Sequence, residues 1–156
     1  MKHSLLIFTL LVLVIGCSAS SCDKSDSNRN PDPVDTTKMT SNKIKITVGS
    51  KTFTATLSDN NAAKAFRDRL PMTISMTELN GNEKYFDLPE SLPVNATNPG
   101  TIQNGDLMLY GSGTLVLFYK GFSTSYSYTR LGRVDHISGL AEVLGSGSIT
   151  LRYELD

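Results

Sequence analysis

The chain has 156 residues, with 15 Lys+Arg balancing 15 Asp+Glu, 2 His, 2 Cys and no Trp. That length holds one domain of roughly 100–150 residues plus accessory segments. A formal net charge of zero without a Lys/Arg cluster argues against a nucleic-acid binder, which needs a basic face to neutralise phosphates. An apolar content of 39% argues against disorder of the whole chain.

Met1-Lys2-His3-Ser4 is a short basic start, and an apolar run follows from Leu5 to Ile15. The run is too short for a bilayer, which takes about 20 residues, but suits the core of a signal peptide. It ends in Val14-Ile15-Gly16-Cys17, which resembles the bacterial lipobox: an apolar residue, a permissive one, a small one, then Cys. Small side chains admit the signal peptidase, and the thiol is the side chain that takes the thioether-linked diacylglycerol. Ala19-Ser20-Ser21-Cys22 is a second match. Cys17 is preferred because it abuts the apolar run, with Cys22 as the alternative. A Cys17–Cys22 disulfide and an ordinary secretory cleavage near Ser18-Ala19-Ser20 remain open. A lipidated Cys17 makes residues 1–17 the lipoprotein signal segment (to about 21 if Cys22 is the anchor) and places the protein on the cell envelope. The outer membrane is the expected location, facing either periplasm or exterior.

Residues 18–42 carry no aromatic residue and are dominated by Ser, Asn, Asp and Thr with Pro31 and Pro33. Such a segment buries too little apolar area to offset its ordering entropy, so it reads as a flexible tether. As a random coil it would reach about 25–30 Å. Asp23 and Asp26 resemble the acidic tails of surface-exported lipoproteins, and Asp35-Thr36-Thr37 resembles an O-glycosylation acceptor; an unmodified linker is equally compatible.

Of the 6 Phe and 6 Tyr only Phe8 precedes Lys43, so the folded domain is expected over 43–156. Lys43 to Val48 and Thr52 to Leu57 alternate polar and apolar residues around Gly49-Ser50-Lys51, which predicts a hairpin. Ser58, Asp59 and Asn60 supply capping side chains for a helix over 62–70. Ala63, Phe66 and Leu70 share one of its faces, and Pro71 is expected to stop it. Met72 to Thr77 and Lys84 to Asp87 predict strands joined through Asn80-Gly81-Asn82. Pro89, Pro93 and Asn98-Pro99-Gly100 punctuate a long irregular connection. Asp106 to Tyr110 and Thr114 to Tyr119, flanking Gly111-Ser112-Gly113, are near-continuous apolar runs suited to strands buried on both faces. Ser148 to Glu154 alternates again. The pattern predicts a mainly β protein: a closed antiparallel barrel of seven or eight short strands with one clear helix and one short one.

Gly105-Asp106-Leu107-Met108-Leu109-Tyr110-Gly111-Ser112-Gly113, followed by Leu117-Phe118-Tyr119, resembles the cyclophilin passage from a Gly-x-Leu-Ser-Met-Ala strand into a Phe-Phe strand. Leu131-Gly132-Arg133-Val134, a spacer and Gly139-Leu140 resemble the cyclophilin Phe-Gly-x-Val stretch and the opening of its second helix. With Tyr85-Phe86, the layout over about 43–155 is similar to compact bacterial cyclophilin-like domains of undefined function. The resemblance implies a cyclophilin-like barrel with a groove on one side. Cyclophilin proper is a prolyl isomerase that lowers an amide barrier of about 18–20 kcal/mol with an Arg that polarises the amide nitrogen. Here there is no Phe-His-Arg stretch, and Lys84-Tyr85-Phe86 stands in roughly that region, where lysine cannot replace a bidentate guanidinium. The Gln before the Phe-Phe pair gives way to an apolar residue near Val116, and the pocket Trp is missing.

Other chemistry is scarce. His136 is the histidine that remains after processing, and adjacent Asp135 is poorly placed to orient it in a triad. Gly111-Ser112-Gly113 and Gly145-Ser146-Gly147-Ser148 read as hairpin turns rather than a nucleophile elbow. No metal or cofactor is expected, and no catalytic residue is assigned. The remaining candidate is the stretch from Lys120 to Arg130, where aromatic residues alternate with hydroxyls. The groove candidates are therefore Tyr85, Phe118, Phe122, Tyr126, Tyr128 and Arg130, although Tyr126 and Tyr128 could simply cover the barrel and Arg130 could pair with an acid such as Asp135. Tyr85, Tyr110 and Tyr119 read more readily as core or rim. The expected function is a membrane-anchored, monomeric binding domain for a peptide or small ligand, without catalysis. The alternative is a divergent peptidyl-prolyl isomerase.

Overall fold

The computed structural model describes residues 41–156; Cys17 and Cys22, expected as anchor candidates, and all but the last two residues of the expected tether lie outside this range. Ten strands and two helices occur in the order β1 (Lys43–Val48), β2 (Lys51–Leu57), α1 (Asn61–Arg67), β3 (Met72–Leu79), β4 (Glu83–Asp87), β5 (Thr101–Ile102), β6 (Asp106–Tyr110), β7 (Thr114–Phe118), β8 (Phe122–Ser123), β9 (Tyr128–Val134), α2 (Leu140–Leu144) and β10 (Ile149–Leu155). Eight of them close an antiparallel barrel in the order β1-β10-β3-β4-β7-β6-β9-β2, and β5 and β8 form a separate two-stranded sheet. The architecture is that expected: mainly β, closed, with two helices of which α1 is the longer.

The first hairpin turns on Gly49 and Ser50 alone, since Val48 already pairs with Lys51. Gly49 takes φ +58°, the positive value that a two-residue hairpin of the correct twist requires. Alternation then sends Ile44, Ile46 and Val48 inward from β1 and Phe53, Ala55 and Leu57 from β2. Leu107, Leu109, Leu115, Leu117, Leu131, Leu151 and Tyr153 fill the same interior.

Helix α1 begins where the Asn60 side chain accepts a hydrogen bond from the Ala63 amide at 2.8 Å, satisfying a donor that the first turn leaves unpaired. It buries Ala62, Ala63 and Phe66, and the Phe66 ring meets Tyr153 edge-on at 5.8 Å. Burying a Phe of this size contributes roughly 1.5–3 kcal/mol. The helix ends at Arg67, short of the expected Leu70, because Arg69 and Leu70 bond to carbonyls three residues back in a tighter turn.

The last three residues of the stretch from Lys120 to Arg130 belong to a full barrel strand over 128–134. One further expectation is corrected. Gly145 to Ser148 connects α2 to β10 and is not a hairpin turn.

Strands β6 and β7 are buried on both faces, as their unbroken apolar runs predict. Their outer residues Met108, Val116 and Phe118 form a second apolar layer with Ile102 and Tyr128, against which Tyr85 and Phe122 pack. The connection from 88 to 102 is pinned across this layer. Leu88 and Leu92 bond to the β6–β7 turn, and Thr97 exchanges two 3.0 Å bonds with Tyr128.

Closure depends on β9 lying close to β2, where Leu57 faces Gly132. A Cβ on Gly132 would stand 2.5 Å from the Thr56 carbonyl oxygen. Gly132→Ala is therefore expected to destabilise the protein by about 2 kcal/mol in urea unfolding. Gly113→Ala, which meets nothing within 4 Å, should stay within about 0.5 kcal/mol of the parent.

Candidate functional site

The outer face of the barrel is incompletely covered, and the gap is a groove of about 370 Å³. Strand alternation builds its floor: Glu83, Tyr85 and Asp87 project from one face of β4, joined by Thr114 and Val116 of β7 and Tyr110 of β6. Phe122, Tyr126 and Tyr128 form one wall, and Leu79 at the end of β3 and Asn80 of the turn that follows form the other.

The rings make a continuous series. Tyr126 meets Tyr110 at 6.1 Å and 89°, Tyr110 meets Tyr128 at 5.6 Å, Tyr128 meets Phe118 at 5.6 Å and 87°, and Phe118 meets Phe122 at 5.7 Å. These edge-to-face and tilted contacts are the favoured geometries for aromatic quadrupoles, so each ring fixes its neighbour. Of the six candidates, Tyr85, Phe122, Tyr126 and Tyr128 line the groove. Phe118 is fully buried beneath it and acts as the support for Phe122 and Tyr128. Tyr110, assigned from sequence to core or rim, is a lining residue and 47% exposed.

Arg130 does not line the groove. Its Nη1 donates to Oδ1 of the buried Asp106 at 2.8 Å, while Oδ2 of the same carboxylate accepts from the Gln103 amide. Arg130 thus clamps the turn into β6. Asp135, the acid named from sequence, instead accepts from Lys43 Nζ at 2.7 Å and Thr56 Oγ1 at 2.6 Å. Burial opposes its ionisation, but those two donors outweigh it and hold its carboxyl below the usual range. Both of its oxygens are engaged by these donors, and the adjacent His136 is exposed.

Lys84 is likewise outside the groove. It leaves the opposite face of β4, is fully buried, and its ammonium donates to Glu78, to the Gly147 carbonyl at 2.7 Å and to the Gly145 carbonyl at 3.0 Å. Three donors meet three acceptors, which is what a buried ammonium requires. Tyr119 completes the cluster, donating to Glu78 at 2.7 Å with its ring 5.5 Å from the ammonium. Burial and the Glu78 carboxylate push the Tyr119 hydroxyl up to about 12. Burial works against the Glu78 charge, yet hydrogen bonds from Lys84 and Tyr119 hold its carboxyl below the ordinary value.

Glu83 contrasts with Glu78. It is 9% exposed, lines the groove, and receives no side-chain hydrogen bond or ion pair from the described residues. Desolvation, then repulsion from Glu78, raises its carboxyl above the ordinary 4.5. Sequence reading passed over Glu83 because it follows Asn80-Gly81-Asn82 and looks like the polar edge of a turn. The groove's charged lining is Glu83 and Asp87, with no Arg or Lys among the lining residues. Among the described residues no group of three or more His, Cys, Asp or Glu comes together as metal ligands.

With the barrel and its groove in view, the profile of the Cyclophilin-like family matches residues 46–154, and the chain belongs to that family. Among solved structures it is similar to the solution structure of a hypothetical protein from Archaeoglobus fulgidus, with 17% identity over 75% of this chain and 96% of that one and a TM-score of 0.57. That likeness concerns the fold. A search of curated proteins gave no match.

Two measurements test this assignment of roles. Lys84→Met should cost about 2–3 kcal/mol, less than the 3–5 of a wholly buried pair because the Glu78 side chain stays 19% exposed. Glu83→Gln should do the reverse. A carboxyl raised by folding contributes stability below its unfolded value and loses it as pH rises through the folded one. The variant should therefore be more stable than the parent at pH 7 in urea unfolding, with the gap closing below pH 4.5.

Proposed function

We propose that the protein is a lipid-anchored component of the bacterial cell envelope whose cyclophilin-like domain binds a peptide or small ligand in the aromatic groove without catalysing a reaction. The observation that carries the binding reading is the groove itself: about 370 Å³, within the size range of small-ligand sites, lined by Tyr85, Tyr110, Phe122, Tyr126 and Tyr128. Rings held by one another present their area without losing much conformational freedom on binding. The noncatalytic part rests on what faces the groove. Weakening amide resonance calls for a donor aimed at the amide nitrogen, and the lining offers carboxylates and phenols but no guanidinium. Arg130 is engaged with Asp106 and Lys84 with Glu78, so neither is available for that task.

The anchor is read from the apolar run and Gly16-Cys17, with Cys22 as the alternative, and the tether would hold a monomeric domain clear of the outer-membrane surface on its periplasmic or outer side. In cells fed a labelled fatty acid, Cys17→Ser should abolish lipid incorporation while Cys22→Ser leaves it intact; labelling that survives in Cys17→Ser moves the anchor to Cys22. In a proline-peptide isomerisation assay the full-length protein should stay at the uncatalysed rate. Turnover above background that falls in Tyr126→Ala would replace the binding reading with an isomerase.

A further inference from the structure

We propose that the groove ligand is a small organic cation, an alkylammonium whose charged head sits against Glu83 and whose apolar stem lies along the tyrosine wall. This inference rests on the binding reading given above and specifies the chemistry of the ligand. Three observations converge on it. First, Glu83 is a groove-floor residue only 9% exposed, and its carboxylate opens into the groove with no donor among the described residues. A partly desolvated carboxylate without a counter-ion is matched by a charged donor entering the groove. Second, the surrounding side chains are the class that attracts cations. The faces of Tyr85, Tyr110, Phe122, Tyr126 and Tyr128 carry negative quadrupole density, which attracts a cation within about 6 Å of the ring. Third, the charge balance is one-sided. Asp87 stands four residues on, past Tyr85 on the same face, its Oδ1 accepting from Thr114 at 2.7 Å, and no lysine or arginine lines the groove to neutralise either acid.

The local energetics agree. Glu78 lies near enough to oppose the ionisation of Glu83, and it is itself neutralised by Lys84 and Tyr119 on the other side of the strand. Glu83 has no such counter-ion, so a neighbouring positive charge from outside is the missing element. A carboxylate ligand would meet two like charges and no cationic partner. A neutral ligand of the same shape would leave the Glu83 charge unpaired. The volume, near the lower end for small-ligand sites, fits a compact amine rather than a folded surface.

The test uses three ligands of one shape and different charge: n-butylammonium, n-butanol and n-butyrate. Each is titrated into the full-length protein in detergent, with the ring signals of the tyrosines followed by NMR. Butylammonium should saturate shifts at Tyr110, Tyr126 and Tyr128 and bind at least about tenfold tighter than butanol, with butyrate weaker still. Glu83→Gln should remove that advantage and leave butanol unchanged. Tyr126→Leu, altered at a 61% exposed site where folding is not at stake, should weaken butylammonium about threefold and butanol much less. Butanol or butyrate matching butylammonium would overturn the cation while leaving a ligand groove in place. Absence of saturable shifts with butylammonium, or an affinity indifferent to Glu83→Gln, would overturn the inference as well.

Discussion

Closure of the sheet is the constraint from which the other features descend. Strand β1 pairs with β2 on one side and with β10, the last strand of the chain, on the other. Once the sheet has no free edge, every strand residue faces either an interior already full of aliphatic side chains or an exterior that must be solvated or covered. One of the two three-pair seams in that closure is the one between β2 and β9, where Gly132 lets two backbones approach. Everything on the outside is arranged around a cylinder that is complete without it.

The groove is a consequence of how the outside is covered. Apolar residues on the outer face of β6 and β7 need shelter, and two connections supply it: 88–102, and the segment from Lys120 to Ser127 with β8. Ile102 and Phe122 roof Met108, Val116 and Phe118, but the roof stops short of β4. What remains between Tyr126 and the β3–β4 turn is a cleft whose floor is sheet and whose wall is a run of interlocked rings. Sites of this kind, on a rigid scaffold and flanked by loops, can hold side chains to the tolerances recognition needs. Placing a carboxylate without a counter-ion there lowers stability locally, because no donor offsets its desolvation.

Much of the fold was legible in the sequence because strand periodicity is a local signal. The alternation in Lys43 to Val48 and in Ile149 to Leu155, the two-sided runs in β6 and β7, and the Asn60 cap all depend on near neighbours. Strand β9 escaped notice because Tyr128 to Val134 buries residues in a pattern of two in and one out, distorted by the bulge opposite Leu107 and Met108 and by Gly132. Site residues were readable only in part. Tyr85, Phe122, Tyr126 and Tyr128 stand out as aromatics in polar surroundings, whereas Phe118 and Tyr110 exchange their expected places because each one's exposure is decided by how the connections outside the barrel fold over it. The pairing of Arg130 with Asp106 rather than Asp135 is settled by the contact between β6 and β9, and no spacing rule contains it.

The buried lysine also guards the alignment of its strand. Adjacent positions on β4 carry opposite charges to opposite sides, Lys84 into its cluster with Glu78 and Glu83 to the open face. Sliding β4 by one position against β3 and β7 would exchange them, thrusting a carboxylate against Glu78 and the Gly145 and Gly147 carbonyls and a cation onto the outer surface. Few misalignments of a short strand are penalised so heavily. A five-residue segment with little area of its own is thereby held to one setting, and the polarity of the cleft is inherited from it.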